Sequence, residues 1–252
     1  WNWETFLTYC KRVSRDINGD GINDIWGVRS NAHISYALPW LHNAGGGWFD
    51  RNVDPTQSAL TQPASITALR YYTELFSLHK VALHNVSFGD GKAAFQMDQG
   101  PFFVQTLHDS NMNWGMWKRP MGPVNDGSVL LGTGFSIAKN SKHPELAWEW
   151  IKFVGTRQEN VKRMYEITNR TPALVSALPS YTQYMRQQYG NAAAPIMEIT
   201  ANVSNFTGVI SPKLDELTPL IQTTLRDIQS GKAPLESTLV ELERQVNLIL
   251  KQ

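Results

Sequence analysis

The chain has 252 residues, and its 23 lysines and arginines nearly balance its 22 aspartates and glutamates, which leaves a net charge of +1. This balance, together with the lack of any run of five like charges, makes a nucleic acid or an anionic membrane surface a poor candidate partner. Hydrophobic residues make up 42% of the chain, which is enough for a sizeable core and argues against general disorder. No stretch of the sequence approaches the roughly 18 apolar residues of a membrane-spanning helix.

Aromatic residues are frequent: the chain contains nine tryptophans, and aromatic residues make up 11% of its length. Such rings can form stacking surfaces for sugars or other flat ligands, or they can fill the core. The single cysteine, Cys10, cannot form an internal disulfide and falls among the apolar positions of the first predicted helix. We therefore expect Cys10 in the core.

Hydrophobic periodicity and turn residues predict an alternation of helices and strands. Asn2 is placed to cap the first helix, and Pro63 opens the second, where a missing N–H does no harm. In chain order, the predicted elements are a helix over residues 3–15, a strand at 25–28, a helix over 63–78, a strand at 93–97, a helix opened by Gly100 and Pro101, a strand at 129–138, a helix over 144–154, and two final helices near 214–228 and 235–249, separated by Gly231. This order indicates an α/β fold.

An irregular stretch rich in aromatic residues lies between the first strand and the second helix. It contains Tyr36, Trp40, Trp48 and Phe49, and the triple glycine of residues 45–47. Because glycine runs are typical of loops, we expect this stretch to bring aromatic side chains to the surface.

Residues 16–24, Asp-Ile-Asn-Gly-Asp-Gly-Ile-Asn-Asp, have the spacing of a calcium-binding loop. Side chains at positions 1, 3, 5 and 9 and the main-chain carbonyl at position 7 would supply oxygen ligands, with Gly21 at the turn. The twelfth position holds Gly27 instead of the bidentate glutamate of an EF-hand, so a further ligand has to come from elsewhere or from water. The alternative is an Asx-rich turn without metal. The expected ligands of a structural Ca²⁺ are Asp16, Asn18, Asp20, Ile22 and Asp24.

Other chemistries find little support. The six histidines form no HExxH-type pair, and the lone cysteine has no partner for a metal cluster. The sequence has neither a GxxxxGK[ST] phosphate loop nor a GxSxG nucleophile elbow. A pair of carboxylates for glycoside hydrolysis stays open, because two such residues need only meet in space.

Several segments occur in a specific order. They read W-x-W-E-x-F at residues 1–6, D-x-N-G-D-G-x-x-D-x-W-G at 16–27, P-W-L-x-x-A-G-G at 39–46, G-K-A-A-F-x-M-x-x-G-P-F at 91–102, and L-G-T-G-F-S-I at 131–137 followed by S-K-H-P-E-L-A-W-E-W-I at 141–151. Together they resemble the extracellular solute-binding proteins of carbohydrate ABC transporters, the maltose-binding-protein-like group. The resemblance extends over nearly all of the chain, and the joint order is more specific than any one segment.

The resemblance implies an α/β, periplasmic-binding-protein-like (type II) fold with two lobes. Members of this family have much of their N-terminal lobe before the W-x-W-E-x-F segment, so the chain is expected to lack the first part of that lobe. Residues 1–132 would form the main part of the C-terminal lobe. Residues 133–200 would contribute to the N-terminal lobe, and residues 201–252 would return to the C-terminal lobe as helices.

The resemblance also implies a receptor that performs no catalysis. Family members bind a mono- or oligosaccharide between the lobes and deliver it to the permease subunits of an ABC transporter. The complete protein is then expected to be monomeric and extracellular, either as a membrane-anchored lipoprotein or in the periplasm. The C–H face of a sugar is apolar and its rim is polar, so an aromatic ring with a few polar side chains suits it.

Positions within the family's motifs identify candidate ligand contacts. Phe102 follows Gly-Pro, where the family more usually has Trp. Core packing is the alternative for each aromatic candidate, and it is the expectation for Trp148 and Trp150. Trp114 and Trp117 fall on an expected strand. Because strand side chains alternate, one of the two should face outward, and Trp117 is assigned to the cleft. The full set is His33, Ser35, Tyr36, Trp40, Trp48, Phe102, Trp117, Gly134 and Arg170.

Three cations raise the question of an acidic ligand. Lys118, Arg119 and Arg170 could pair with the carboxylate of a uronic acid, although we expect all three to be solvated at the surface. The sequence also leaves open a carbohydrate-active enzyme, a binding protein for a non-sugar solute and a calcium-stabilised interaction module. Product formation separates the enzyme from a receptor, because a receptor returns its ligand unaltered.

Overall fold

A computed structural model describes residues 1–97, 103–109, 112–193 and 195–252. Its contacts divide the chain into two units. The first comprises Trp1–Asp98, Arg119–Leu130 and Asn202–Gln252, and the second comprises Gln99–Lys118 and Leu131–Ala201. Residues 99–118, which the sequence assigned with residues 1–132, thus group with the second unit. The correspondence of the two units to two lobes stays a prediction.

Helices provide most of the regular structure, and the described strands are short. The helices are α1 (Trp3–Val13), α2 (Ile34–Asn43), α3 (Pro63–Ser77), α4 (Val104–Asp109), α5 (Pro144–Thr156), α6 (Gln158–Thr168), α7 (Leu178–Tyr189), α8 (Ile196–Thr200), α9 (Leu214–Gln229) and α10 (Leu235–Leu250). The strands are β1 (Trp26–Arg29), β2 (Ala82–Leu83), β3 (Ala93–Gln96), β4 (Val129–Leu130) and β5 (Phe206–Thr207). Within the described ranges, no helix combines the length and hydrophobicity that a membrane span needs.

Parallel pairing defines the sheet of the first unit, in which the strand order is β2-β1-β3. Val28 of β1 pairs with Ala82 of β2 and with Phe95 of β3. Parallel neighbours need a long crossover connection, and α2 and α3 supply it between β1 and β2. Because all three strands run the same way, their carboxyl ends meet at one edge of the sheet.

The first helix begins where the sequence predicts. The side chain of Asn2 accepts a hydrogen bond from the amide of Thr5 at 2.9 Å, and the hydroxyl of Thr5 accepts one from the backbone amide of Asn2 at 2.9 Å, which completes a capping box. Cys10 is fully buried, as expected, and burial raises the pKa of its thiol to about 12. A Cβ on Gly27 would lie 2.5 Å from the Cβ of Cys10, so only glycine lets β1 approach α1 this closely.

The first part of the aromatic stretch after β1 is helical, as α2, and residues 44–62 are irregular, but the predicted surface exposure is wrong because Trp48 in this irregular part is buried. Seven of the ten residues of α2 are buried, including Leu38, Trp40 and Leu41, and burial around most of the helix obscures the amphipathic period by which a surface helix is recognised. Pro39 lies inside this helix, and because proline is unfavourable in a helix interior, its presence argues against predicting a helix here. The final helices behave as predicted: α9 and α10 bury their periodic leucines, and Gly231 follows α9 with a φ of 74°.

The second unit has a smaller core, made mainly by α6 and α7. Asn169 ends α6 in the left-handed conformation, with a φ of 54°, and its side-chain oxygen accepts hydrogen bonds from Tyr189 at 3.0 Å and Tyr184 at 3.3 Å. Tyr181 donates to the backbone carbonyl of Asn169 at 3.0 Å. Three tyrosines therefore converge on one buried asparagine.

Two predictions around residues 129–156 need correction. The strand expected over 129–138 spans only Val129–Leu130, where it pairs with β5. The helix expected over 144–154 is present as α5, but none of its residues is buried, and Trp148 and Trp150 are about half exposed. These two tryptophans are therefore not core residues in the described part of the chain.

Candidate functional site

The carboxyl edge of the β2-β1-β3 sheet is the candidate functional site. In open α/β sheets, ligands bind beyond the carboxyl ends of the strands, where the chain leaves the sheet and its loops diverge. Here Arg29 ends β1 and pairs with Gln96, which ends β3. The segment that follows β1 continues through Ser30 and Asn31 to the first turn of α2.

A buried tyrosine anchors the chain just beyond β1. The hydroxyl of Tyr72, on α3, donates to the carbonyl of Asn31 and lies 3.3 Å from the hydroxyl of Ser30. Tyr72 is fully buried, so this anchor is held by the core and not by a mobile side chain. The position of the loop over residues 30–33 is thereby tied to α3.

Three of the predicted contacts, His33, Ser35 and Tyr36, lie together at this edge. His33 caps α2: its Nδ1 accepts a hydrogen bond from the amide of Ser35 at 3.1 Å, and its ring lies 5.4 Å from that of Tyr36. Burial lowers the pKa of His33, which favours the neutral ring. With Nδ1 accepting, the proton of that ring is on Nε2, which is then a donor. All three side chains are half-buried, and their contact with a ligand stays a prediction.

Two of the predicted contacts, Trp40 and Trp48, are core residues, and this corrects their assignment to the ligand. Trp40 is 1% exposed and packs against Trp3, Phe6 and Tyr72. Trp48 is completely buried, and its indole N–H donates to the carbonyl of Ile34 at 3.0 Å. Neither indole presents a face on which a sugar could stack. The triple glycine next to them had suggested a surface loop.

Arg119 also differs from the sequence-based expectation. Its Nε and Nη2 atoms are buried instead of solvated and have no hydrogen-bond partner in the structure. The guanidinium lies 5.0 Å from the centroid of the Trp40 ring, a cation–π contact. Burial lowers its pKa to about 10, and the neighbouring Tyr72 acts in the opposite direction.

Gln96 is another polar side chain whose buried atoms lack hydrogen-bond partners. Both its Oε1 and its Nε2 are buried, and neither has a hydrogen-bond partner. Buried polar groups are nearly always hydrogen-bonded, so an unsatisfied amide at a sheet edge calls for a ligand or another partner. The sequence did not single out Gln96. It is the last residue but one of the strand predicted at 93–97, and a polar residue at the carboxyl end of a strand is a candidate ligand contact.

The remaining candidates lie in the second unit. Arg170 donates to the hydroxyl of Thr133 at 2.9 Å, which holds it beside the segment that contains Gly134. A Cβ on Gly134 would meet nothing within 4 Å, so no close contact requires glycine there. Trp117 is 64% exposed, as expected for an outward-facing residue, but it does not lie on a strand. Phe102 lies outside the described residues.

The acidic loop over residues 16–24 is closed by its own backbone amides. Asp16 accepts hydrogen bonds from Gly21 at 2.7 Å and Gly19 at 2.6 Å, which lower the pKa of its carboxyl. Asp20 accepts from Ile22 at 2.8 Å. Nowhere in the described part of the chain do three or more His, Cys, Asp or Glu side chains form a group that could hold a metal ion. Calcium binding by this loop stays a prediction.

Comparisons with known proteins agree with the fold and with the motif order. The family model for bacterial extracellular solute-binding proteins matches residues 1–161. The maltodextrin-binding protein MdxE of Bacillus subtilis is 25% identical over 230 residues, which cover 86% of this chain and 52% of that protein. The chain therefore spans about half the length of this relative.

Solved structures confirm the predicted α/β, type II periplasmic-binding-protein-like fold. The substrate-binding protein Lmo0181 of Listeria monocytogenes, in complex with cycloalternan, superposes with a TM-score of 0.81 at 18% identity, over 100% of this chain and 64% of that chain. MalE of Bdellovibrio bacteriovorus, bound to maltotriose, gives a TM-score of 0.77 at 17% identity, over 100% and 66% of the two chains. At these identities, the similarity establishes the fold alone.

Proposed function

Because the chain belongs to the family of bacterial extracellular solute-binding proteins, we propose that the protein captures a mono- or oligosaccharide and delivers it to the permease of an ABC transporter. The relative and the solved structures support the choice of ligand, since their names describe binding of maltodextrin, cycloalternan and maltotriose. The observation within this chain that carries the proposal is the carboxyl edge of its sheet.

The chemistry of this edge suits a sugar. Tyr36 and the neutral ring of His33 offer flat faces, Nε2 of His33 is a donor, and the amide of Gln96 has one donor atom and one acceptor atom without a partner. A pyranose needs the same combination: a surface for its C–H face and both donors and acceptors for its hydroxyls. The backbone anchor from Tyr72 to Asn31 holds this set in place.

We propose that the ligand leaves unchanged. Hydrolysis of a glycosidic bond commonly needs two carboxyl groups on either side of that bond. The described segments of the edge, residues 29–36 and 93–97, contribute no Asp or Glu. The family to which the chain belongs consists of solute-binding proteins, which supports binding rather than turnover.

The remaining properties of the receptor are part of the same proposal. The family is extracellular, and we propose that the protein works either as a membrane-anchored lipoprotein or in the periplasm, as a monomer. We also propose that residues 16–24 bind a structural calcium ion. Three carboxylates within nine residues, without a basic residue among them, support a cation there.

A thermal-shift panel tests the proposal. The full-length protein is heated with neutral and uronate mono- and oligosaccharides, and with glycerol phosphodiesters and polyamines as non-sugar solutes. A sugar at one hundred times its dissociation constant is expected to raise the melting temperature by about 5–10 °C. A shift with a non-sugar solute alone would assign the receptor to that solute, and no shift with any sugar contradicts the proposal.

A further inference from the structure

Arg119 differs from the other two cations that the sequence suggested for an acidic ligand. Lys118 lies 3.4 Å from the carboxylate of Glu198, and Arg170 donates to Thr133. Neither the Nε nor the Nη2 of Arg119 has a hydrogen-bond partner, and no ion pair of Arg119 occurs within the ranges that the structure describes. The Nε and Nη2 donors of Arg119 are thus unused within the described residues.

An unpaired buried guanidinium is energetically unfavourable. Removing a charge from water is costly unless an opposite charge or several hydrogen bonds replace the lost hydration. The face of Trp40, at 5.0 Å, supplies part of this compensation, and the nearby phenol of Tyr72 adds a little. Neither of them accepts a hydrogen bond from Nε or Nη2, so both atoms have donors that an anion can take.

The position of Arg119 connects it to the candidate site. Trp40 and Tyr72 link the two regions: Arg119 lies over the ring of Trp40, and Tyr72, which stacks on the same indole, donates to the carbonyl of Asn31 just beyond the end of β1. Arg119 as a whole is only partly buried, so a rotamer change, which is common on binding, can bring its guanidinium edge to a ligand.

The two unsatisfied atoms specify the shape of the anion. Nε and Nη2 lie on the same edge of the guanidinium and carry parallel N–H bonds, which match the two oxygens of a carboxylate. We propose that Arg119 binds the carboxylate of an acidic sugar, so that the ligand of the receptor is a uronate-containing saccharide. This inference rests on the proposed function and adds the ligand class to it.

Matched ligand pairs test the inference in the full-length protein. Calorimetry compares maltotriose, cellobiose and galactobiose, each with the derivative in which the terminal C6 is oxidised to a carboxylate. For at least one pair, the uronate is expected to bind roughly 10- to 100-fold more tightly than the neutral sugar. The methyl ester of that uronate keeps the shape but lacks the charge, and it is expected to lose the whole gain.

Variants assign the effect to Arg119. Arg119→Gln is expected to remove the preference for the uronate, and Arg119→Lys to retain part of it, because lysine keeps the charge without the two parallel donors. The matched control is Arg244→Gln, since Arg244 is exposed and paired with Glu241 on α10. It should leave both affinities unchanged. If Arg119→Gln does not fold, the comparison of uronate, methyl ester and neutral sugar in the unmodified protein still decides whether the receptor prefers a uronate.

The outcomes separate this inference from the proposed function. If the neutral sugar binds as tightly as its uronate in every pair, or if Arg119→Gln folds and keeps the preference, the inference is wrong and the sugar receptor stands. If no saccharide of either kind binds, the proposed function is wrong, and the inference is wrong with it.

Discussion

The hydroxyl of Tyr72 donates a hydrogen bond to the carbonyl of Asn31, across 41 positions of the chain. This bond ties the core of the first unit to the loop that leaves the carboxyl end of β1. The same tyrosine stacks on Trp40, whose ring lies beneath Arg119. The polar edge at which we place the ligand is thus supported by one buried aromatic layer.

Replacing Tyr72 by Phe is expected to weaken ligand binding as well as stability. The change leaves the carbonyl of Asn31 unsatisfied at a cost of about 1–3 kcal/mol, and it frees the loop that presents His33. Tyr71→Phe is the matched control, because the hydroxyl of Tyr71 donates to the carbonyl of Trp3, away from the sheet edge. Calorimetry and thermal unfolding should show a loss of stability in both variants and a loss of affinity in Tyr72→Phe only. Equal affinities in the two variants would show that the hydrogen bond from Tyr72 to Asn31 does not support ligand binding.

Tyr36→Ala is expected to lower sugar affinity with little change in stability. The ring of Tyr36 is half-buried beside His33, where it can pack on a sugar face. Loss of such a contact should weaken binding roughly two- to tenfold. Tyr9→Ala, which removes a 48% exposed ring from α1, serves as the control in the same titration. An unchanged dissociation constant for Tyr36→Ala would remove this residue from the site.

Asn169→Ala is expected to destabilise the second unit strongly. Alanine is strained at the observed φ of 54°, and the hydroxyls of Tyr184 and Tyr189 lose their acceptor. Together these effects should cost about 2–4 kcal/mol. Asn85→Ala is the control, because Asn85 is exposed and has a similar φ of 57°, so it loses only the conformational preference, about 1 kcal/mol. Urea unfolding measures both, and equal losses would mean that the tyrosine bonds contribute nothing.

Calcium is expected to stabilise the protein through residues 16–24 without affecting the sugar site. Added Ca²⁺ should raise the melting temperature, and a chelator should reverse the effect. Asp20→Ala should abolish the response, because it removes one of the proposed ligands, and sugar affinity should stay nearly unchanged. Asp90→Ala, at an exposed turn outside the loop, is the control. A large loss of sugar affinity at unchanged stability would contradict a structural role, and an absent response to calcium would reduce the loop to an Asx-rich turn.

The sequence predicted the starts of α1 and α3 correctly, because these starts depend on residues that are neighbours in the chain. Asn2 with Thr5 specifies the start of α1, and Pro63 the start of α3, because capping and proline geometry depend on neighbouring residues alone. By contrast, α2 has seven of its ten residues buried and contains Pro39, so neither periodicity nor propensity identifies it. Its burial depends on α3 and α9, which lie far along the chain.

The candidate site was predicted only in part, for a related reason. The resemblance alone selected His33, Ser35 and Tyr36, and the structure places them together beyond β1. The burial of Trp40 and Trp48 could not be predicted, because it depends on side chains that meet only in the folded chain. The same holds for Arg119: a basic side chain is normally solvated, and nothing near it in sequence indicates that it will pack over Trp40.

The most direct test of the account is a binding experiment in which the ligand is recovered. The full-length protein is titrated calorimetrically with the saccharide that gives the largest thermal shift, incubated overnight, and the released ligand is analysed by chromatography. The account predicts saturable binding of one saccharide per protein and quantitative recovery of the intact saccharide. No saturable binding to any saccharide, or conversion of the ligand to a shorter product, would contradict it.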